Sequence, residues 1–217
     1  MNIINFSGWL FLIFHVGIPL FWDPKGFLSA DIEMDVHVLR FIQTFQIMDI
    51  MLILIGKSKG SILGAFFQIV GRMVVAWGFA EPTSNNLRFA TVAIIWALAD
   101  CNRYLYYLFK NHPLTAALRY NSFIVLYPIG VFGEMLLIND YLQRHIELTE
   151  NCVYLVRAIQ ASIVVGLLFL YTYMLKMRAK YYKKVGGFVN SFLAKPAGEN
   201  SSEKKSLNKL KEEQKDD

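Results

Sequence analysis

The sequence contains little cysteine and little charge. Cys101 and Cys152 are the only cysteines, too few for a disulfide framework or a cysteine-ligated metal cluster. Charged residues make up 18% of the 217-residue chain and hydrophobic residues 55%, whereas a soluble domain has about 25% charged residues. With 6 prolines and 14 glycines, the chain also lacks the composition of collagen-like and low-complexity proteins. These shortages argue against a soluble fold and favour a membrane protein.

The net positive charge is confined to the C-terminal end. Residues 1–175 contain 11 basic and 11 acidic side chains, whereas residues 176–217 contain 11 basic and 6 acidic ones and so carry the whole net charge of +5. A basic tail alone gives no reason to expect a nucleic-acid partner. Because the sequence beyond Lys195 has no aromatic residue and mixes both charges, we predict a disordered, charged cytosolic tail over residues 185–217.

Long apolar runs recur along the rest of the chain, and a membrane-spanning helix needs about 20 mostly apolar residues. We therefore predict an all-α, polytopic membrane protein in which residues 1–184 form a bundle of six transmembrane helices. The spans are expected near residues 3–22, 36–56, 61–80, 87–109, 119–138 and 153–175. The connections between them are short, which is typical of a hairpin-connected helical bundle and leaves no space for a soluble domain.

The basic stretch KMRAKYYKK at residues 176–184 determines the predicted orientation. Basic residues near the other span ends are divided almost evenly between the two sides, and this stretch adds five to one side. Because cytosolic segments next to spans are enriched in Lys and Arg, both termini are predicted to face the cytosol. The same stretch is expected to lie along the anionic headgroups of the lipid bilayer.

Polar and ionisable side chains occur in four successive predicted spans. Such groups are costly in a membrane, so each needs a partner, a wet cavity or a chemical task. Spacings of three and four residues allow Asp100 to contact Arg103 and Gln68 to contact Arg72. Pairing explains any one of these residues, but the whole set predicts a polar cavity inside the bundle. The set comprises Asp49, Gln68, Arg72, Asp100, Arg103 and Arg119.

The predicted fifth span places Tyr127, Gly130 and Glu134 on one helical face. Tyr127 and Glu134 are two turns apart, about 10.5 Å along the helix axis. Gly130 and Gly133 leave the helix surface bare between them, so a long, thin substrate is expected to lie in a groove there. The alternative is a packing face, since small residues mark helix–helix contacts. A glutamate fits that alternative badly and is a candidate acid or base.

The segment LRYNSFIVLYPIGVFGE at residues 118–134 resembles the signature of the very-long-chain (3R)-3-hydroxyacyl-CoA dehydratases, also called protein tyrosine phosphatase-like proteins. WALADCNRYLYYLF at residues 96–109 resembles the family's Trp-Ser-x-x-Glu-x-x-Arg-Tyr segment, and the resemblance covers about residues 40–184. Asp49 and Asp100 stand where the family usually has Glu, which keeps the carboxylate but shortens its reach. Phosphatase activity is not expected, because only four residues separate Cys152 from Arg157 and a phosphatase loop needs five.

The resemblance implies elimination of water from a long-chain (3R)-3-hydroxyacyl-CoA to give a trans-2-enoyl-CoA, the third step of microsomal fatty-acid elongation. One base and one acid suffice, so neither a metal nor a cofactor is expected. By resemblance these are Tyr127 and Glu134. Either can fill either role, with Glu134 favoured as the donor to the leaving hydroxyl. Arg119 and Lys110 are expected to bind the CoA phosphates.

The resemblance also implies an endoplasmic-reticulum location. It further implies partnership with the condensing enzyme, the 3-ketoacyl-CoA reductase and the enoyl-CoA reductase of the elongation cycle. The alternative functions are a small transporter or a non-catalytic scaffold of the elongation complex. A transporter more often has a symmetric pair of broken helices, whereas the LYPIGVFG interruption of the fifth span has no second copy here. A scaffold would need no Tyr127–Glu134 pair, so the pair favours an enzyme.

Overall fold

The computed structural model describes residues 2–57, 62–109 and 112–193, which form eight α-helices and contain no β-strand. The predicted all-α class is therefore confirmed for this part of the chain. The helices are α1 (Asn2–Trp22), α2 (Pro24–Ser29), α3 (Glu33–Phe45), α4 (Ile47–Leu54), α5 (Ile62–Gly78), α6 (Asn86–Leu108), α7 (Pro113–Arg144) and α8 (Glu150–Leu193).

Four helical segments among the described residues are long and apolar enough to cross a membrane. They are Ile3–Trp22, Glu33–Leu54, Pro113–Arg144 and Glu150–Gly186. A protein with four such segments is a multi-pass membrane protein. The count of six spans stays a prediction, because α5 has only 17 residues and α6 carries Arg88, Asp100 and Arg103.

The predicted second span is two helices, because the helical hydrogen bonding tightens at Gln46. The Gln46 N–H donates to the carbonyl of Gln43 at 3.2 Å, a bond of the 3₁₀ type, and α4 starts at the next residue. At its other end α4 stops at Leu54, and Gly56 just beyond it has a φ of 76°, the left-handed conformation that favours glycine. The N–H of Lys57 then reaches back to Leu52 at 2.9 Å. This turn fixes the position of Lys57.

Two further boundaries differ from the sequence prediction. The short helix α2 was not predicted; Asp23 caps it by accepting a hydrogen bond from the Gly26 N–H at 3.0 Å. The last helix continues to Leu193 and so extends into the segment predicted as a disordered tail. Gly186 and Gly187 lie inside this helix and lower its stability without ending it. The remainder of the predicted tail, residues 194–217, lies outside the described residues.

The centre of the bundle is α6, which packs against α1 on one side and α7 on the other. Its buried alanines, Ala90, Ala93 and Ala97, let the neighbouring helices approach closely. From α1, fully buried Trp9, Leu12 and Val16 join the same core. Because α6 is enclosed in this way, its polar residues face protein rather than lipid.

Gly130 and Gly133 lie in the contact between α6 and α7, which corrects the expectation of an open groove at these positions. Both are buried. A Cβ at Gly133 would lie 3.2 Å from Cγ2 of Val92, and one at Gly130 would lie 3.4 Å from Cγ2 of Ile95. The glycines therefore serve close helix packing, which was the alternative interpretation.

A larger side chain at this contact should destabilise the bundle. We expect Gly133→Leu to lower the free energy of unfolding by about 1–3 kcal/mol, because the new atoms overlap Val92 and Thr91. Gly166→Leu is the matched control, since a Cβ at Gly166 meets nothing within 4 Å. Thermal unfolding of both purified variants in detergent checks this, and equal melting temperatures would contradict the packing assignment.

Candidate functional site

Helices α1, α4, α5 and α6 bring six polar side chains into one cluster joined by hydrogen bonds and ion pairs, which we call the polar network. Its members are Asn5, Asp49, Arg72, Asp100, Arg103 and Tyr104. Asp49 is an acceptor within it: it receives bonds from the Tyr104 hydroxyl at 2.5 Å and from Arg103 at 3.2 Å. Asn5 donates to the Tyr104 oxygen at 2.9 Å. Asn5 thereby ties the start of α1 to the C-terminal half of α6.

Asp100 holds the network together from a position with 0% exposure. Its carboxylate pairs with Arg103 at 3.2 Å through one oxygen and with Arg72 through the other. The contact between Asp100 and Arg103 that the spacing allowed is present. Arg72 pairs with Asp100 rather than with Gln68, since a carboxylate is a stronger partner for a guanidinium than a neutral amide.

Glu134 lies outside the polar network but is linked to it through Trp96. Glu134 is 7% exposed, and its Oε1 accepts a hydrogen bond from Nε1 of Trp96 at 2.8 Å. The guanidinium of Arg72 lies over the Trp96 ring, 5.2 Å from its centroid. Sequence reasoning missed Trp96, although its position one turn before Asp100 places both residues on the same face of α6.

A cavity of about 760 Å³ opens between α4, α5, α6, α7 and α8. Tyr127 and Gln68 are in its wall, whereas Glu134 is not. The charged residues that line it are Asp49, Lys57, Arg103 and Arg119. Asp49 and Arg103 form an ion pair, and no salt bridge joins Lys57 or Arg119 to a carboxylate within the described residues. The cavity therefore has an excess of positive charge and suits an anionic ligand.

Arg119 is held in place by aromatic rings rather than by a carboxylate. Its guanidinium lies 4.8 Å from the ring centroid of Tyr106 and 4.9 Å from that of Tyr107. Its buried Nε has no hydrogen-bond partner among the described residues. Lys110, its expected companion at a phosphate site, lies outside the described residues. The Nε–H group of Arg119 is therefore a donor without an acceptor among the described residues.

A second charged cluster joins the connection between α5 and α6 to the end of α7. Arg144 pairs with Glu81 at 2.5 Å and with Asp140 at 3.1 Å, and Arg88 pairs with Asp140 at 3.0 Å. Burial raises the pKa of Glu81, but hydrogen bonds from His145 and Arg144 outweigh burial and hold that pKa below its ordinary value. The two acids and the two arginines of this cluster neutralise one another. Their ion pairs hold the α5–α6 connection against the end of α7.

Loss of a carboxylate should lower the stability of the protein by different amounts in the two clusters. Asp100→Ala should destabilise the protein by about 3–5 kcal/mol, because it leaves Arg72 and Arg103 buried without that partner. Asp140→Ala is the matched control, since it also removes a carboxylate from two arginines, but its side chain and both guanidiniums are partly exposed. We expect the smaller drop in melting temperature for Asp140→Ala. A larger drop there than in Asp100→Ala would contradict the central place of Asp100.

Comparison with known proteins agrees with the resemblance found in the sequence. The family model described as "Protein tyrosine phosphatase-like protein, PTPLA" matches residues 43–184. That range contains the candidate catalytic pair and all of the polar network except Asn5.

Curated proteins are similar over the same region. The chain is 29% identical over 194 residues to the "Probable very-long-chain (3R)-3-hydroxyacyl-CoA dehydratase" of Schizosaccharomyces pombe, covering 84% of this chain and 91% of that protein. It is 31% identical over 144 residues to "Very-long-chain (3R)-3-hydroxyacyl-CoA dehydratase 1" of Canis lupus familiaris, covering 63% of this chain and 57% of the dog protein.

The human "Very-long-chain (3R)-3-hydroxyacyl-CoA dehydratase 2" is also 31% identical, and the match spans 56% of its length. The chain thus spans little more than half of these mammalian relatives. No solved structure matches it significantly. The family model covers well over half of the chain, and we conclude that this protein belongs to the protein tyrosine phosphatase-like family, PTPLA.

Proposed function

We propose that this protein is a very-long-chain (3R)-3-hydroxyacyl-CoA dehydratase, a hydro-lyase of the microsomal fatty-acid elongation cycle. The observation that carries the proposal is the placement of Tyr127 and Glu134 on one face of α7. Tyr127 lines the positively charged cavity, and Glu134 is buried two turns further along. Two relatives with these dehydratase names, from yeast and dog, add support.

The reaction needs one proton acceptor and one proton donor. The acceptor removes a proton from C2, and the electron pair of that C–H bond forms the C2=C3 double bond. The C3–O bond breaks, and the leaving hydroxyl takes a proton from the donor to depart as water. The base returns its proton to the acid through solvent between turnovers, so the protein is unchanged at the end of the cycle.

We assign the acceptor role to Tyr127 and the donor role to Glu134. Tyr127 lies within electrostatic reach of the guanidiniums of Arg72, Arg103 and Arg119. Positive charge in this position stabilises the negative charge that the Tyr127 oxygen carries before it takes the proton, and the negative charge that develops on the thioester oxygen as the C2 proton leaves. Glu134 takes the donor role in this proposal, because Trp96 binds one of its oxygens and the second oxygen can carry the proton.

The cavity suits the two chemically different ends of an acyl-CoA. Lys57 and Arg119 offer cationic donors for the CoA phosphates. Phe123 and Leu126 of α7 and Met174 of α8 form an apolar part of the wall, where a long acyl chain is expected to lie. The substrate's negative charge then complements the excess positive charge of the cavity.

Removal of either reacting group should abolish most of the turnover without loss of protein. Tyr127→Phe keeps the ring and Glu134→Gln keeps the shape, so each should lower the rate of (3R)-3-hydroxypalmitoyl-CoA dehydration by about 10²–10⁴-fold. Tyr173→Phe is the matched control, since it removes a hydroxyl from the same cavity wall. Parental rates in both Tyr127→Phe and Glu134→Gln would remove the pair from the mechanism, whereas no dehydration by the purified parental protein would favour the scaffold alternative.

Two additions to this experiment separate the roles of the residues. In D₂O, Tyr127→Phe should stop exchange of the C2 hydrogen with solvent, whereas Glu134→Gln should retain it, and the reverse result would exchange the two assignments. Arg119→Gln should raise KM by a larger factor than it lowers kcat, because it weakens binding of the CoA phosphates and removes the weakest of the three positive charges acting on Tyr127. An unchanged KM would contradict the phosphate site.

We also propose an endoplasmic-reticulum location with both termini in the cytosol, supported by the basic stretch at residues 176–184. In sealed microsomes, tags at both ends should be accessible from outside, and a glycosylation acceptor within residues 23–35 should be modified. Glycosylation of an acceptor in the C-terminal tail would contradict this orientation. Cross-linking in the same microsomes tests the proposed partnership with the condensing enzyme and the two reductases, whose absence from the products would contradict it.

A further inference from the structure

Trp96 occupies a position between the charged and the reactive parts of the molecule. It is 1% exposed, one face of its ring is covered by the Arg72 guanidinium at 5.2 Å, and its N–H points to Glu134 at 2.8 Å. Arg72 is in turn bound to Asp100. The side chains of Arg72, Trp96 and Glu134 therefore form a continuous connection from α5 through α6 to α7.

This connection is the hydrogen-bonded support of Glu134. Within the described residues no salt bridge reaches Glu134, and Trp96 Nε1 is the donor to its carboxyl group. Trp96 in turn cannot move freely, because it is packed in the core beside Ala93 and Ala97 and held from above by Arg72. A buried ring with the Arg72 guanidinium over one face gives the N–H a fixed direction.

The chemistry of the indole N–H restricts what Glu134 can do. An indole N–H is a donor and never an acceptor, so the carboxyl oxygen that faces it must always be an acceptor. A carbonyl oxygen is a better acceptor than the hydroxyl oxygen of a carboxylic acid, so protonated Glu134 favours the form with its proton on the other oxygen. The contact thus selects the oxygen from which a proton is given or to which one is added.

We propose that Trp96 is a positioning residue that orients the carboxyl group of Glu134 and keeps its mobile proton on the oxygen that Trp96 does not bind, which is the oxygen that protonates the leaving hydroxyl in the proposed reaction. This inference rests on the proposed dehydratase function and adds a residue that acts through Glu134 rather than on the substrate. Arg72 contributes by fixing the indole plane, which connects the polar network to the reacting carboxyl.

The test is Trp96→Phe, which removes the N–H donor and keeps an aromatic face for Arg72. We expect kcat for (3R)-3-hydroxypalmitoyl-CoA to fall by about 10- to 100-fold, the effect of one lost hydrogen bond to a reacting carboxyl group. KM should stay close to the parental value, because Trp96 does not line the cavity. In a Glu134→Gln background the same substitution should have little further effect, because the two residues act as one unit.

Trp77→Phe is the matched control. The Trp77 N–H also donates a hydrogen bond, to Thr44 at 3.1 Å, and its ring also lies under a guanidinium, that of Arg40 at 5.2 Å. It has no contact with Glu134 in the hydrogen bonds of the described residues, so its loss should leave kcat unchanged.

The outcomes separate the inference from the function on which it rests. A parental protein that does not dehydrate the substrate overturns the proposed function and this inference with it. An active parent with an equally active Trp96→Phe variant overturns the inference alone. A Trp96→Phe variant that loses melting temperature and KM together with kcat, or that is equally harmful in the Glu134→Gln background, shows a structural role and also overturns it. A fall in kcat alone, absent from Trp77→Phe, supports it.

Discussion

The arrangement of the bundle depends on the neutralisation of Asp100 inside a helix that is surrounded by apolar helices. An unpaired carboxylate there would cost several kcal/mol, and a single arginine would leave the second oxygen unmet. Arg72 and Arg103 meet both oxygens, and Asp49 balances the additional positive charge. The result is an electrically neutral group of two acids and two bases that joins α4, α5 and α6.

This neutral group allows α6 to be the central helix in spite of its charges. Polar side chains gather on the face that carries Trp96, Asp100 and Arg103, while buried alanines permit close contact with α1. Gly130 and Gly133 let α7 approach from the other side. The close approach of α7 is what brings Glu134 within hydrogen-bond distance of Trp96.

The distribution of charge differs between the core and the cavity. Charges in the polar network and in the Glu81–Arg144 cluster are balanced by neighbouring residues, so they need nothing from outside the protein. In the cavity, Lys57 and Arg119 have no such balance among the described residues. An anionic ligand would supply the missing charge, and the proposed acyl-CoA substrate has that charge at one end and an apolar chain at the other.

Sequence alone determined the helical class, the approximate position of each long helix and the candidates for the chemically active residues. These follow from local properties: runs of apolar residues set helix positions, and Tyr127 and Glu134 share a face because of the helical repeat. The sequence also indicated Arg103 as a partner of Asp100, since the two residues are three apart on the same helix. The break at Gln46 was not predictable, because it involves neither proline nor glycine.

Tertiary structure decided which helices are neighbours, and several features follow from that. Arg72 had a nearby candidate in Gln68, but the packing of α5 on α6 gave it the stronger acceptor, Asp100. From the sequence, Gly130 and Gly133 could line an open groove or allow close helix packing. The contact with α6 shows that they allow close packing. Trp96 became a partner of Glu134 only through that same contact. A sequence repeat fixes which residues share a helix face, but it carries no information on what that face meets, because contacts between helices depend on the fit of distant parts of the chain.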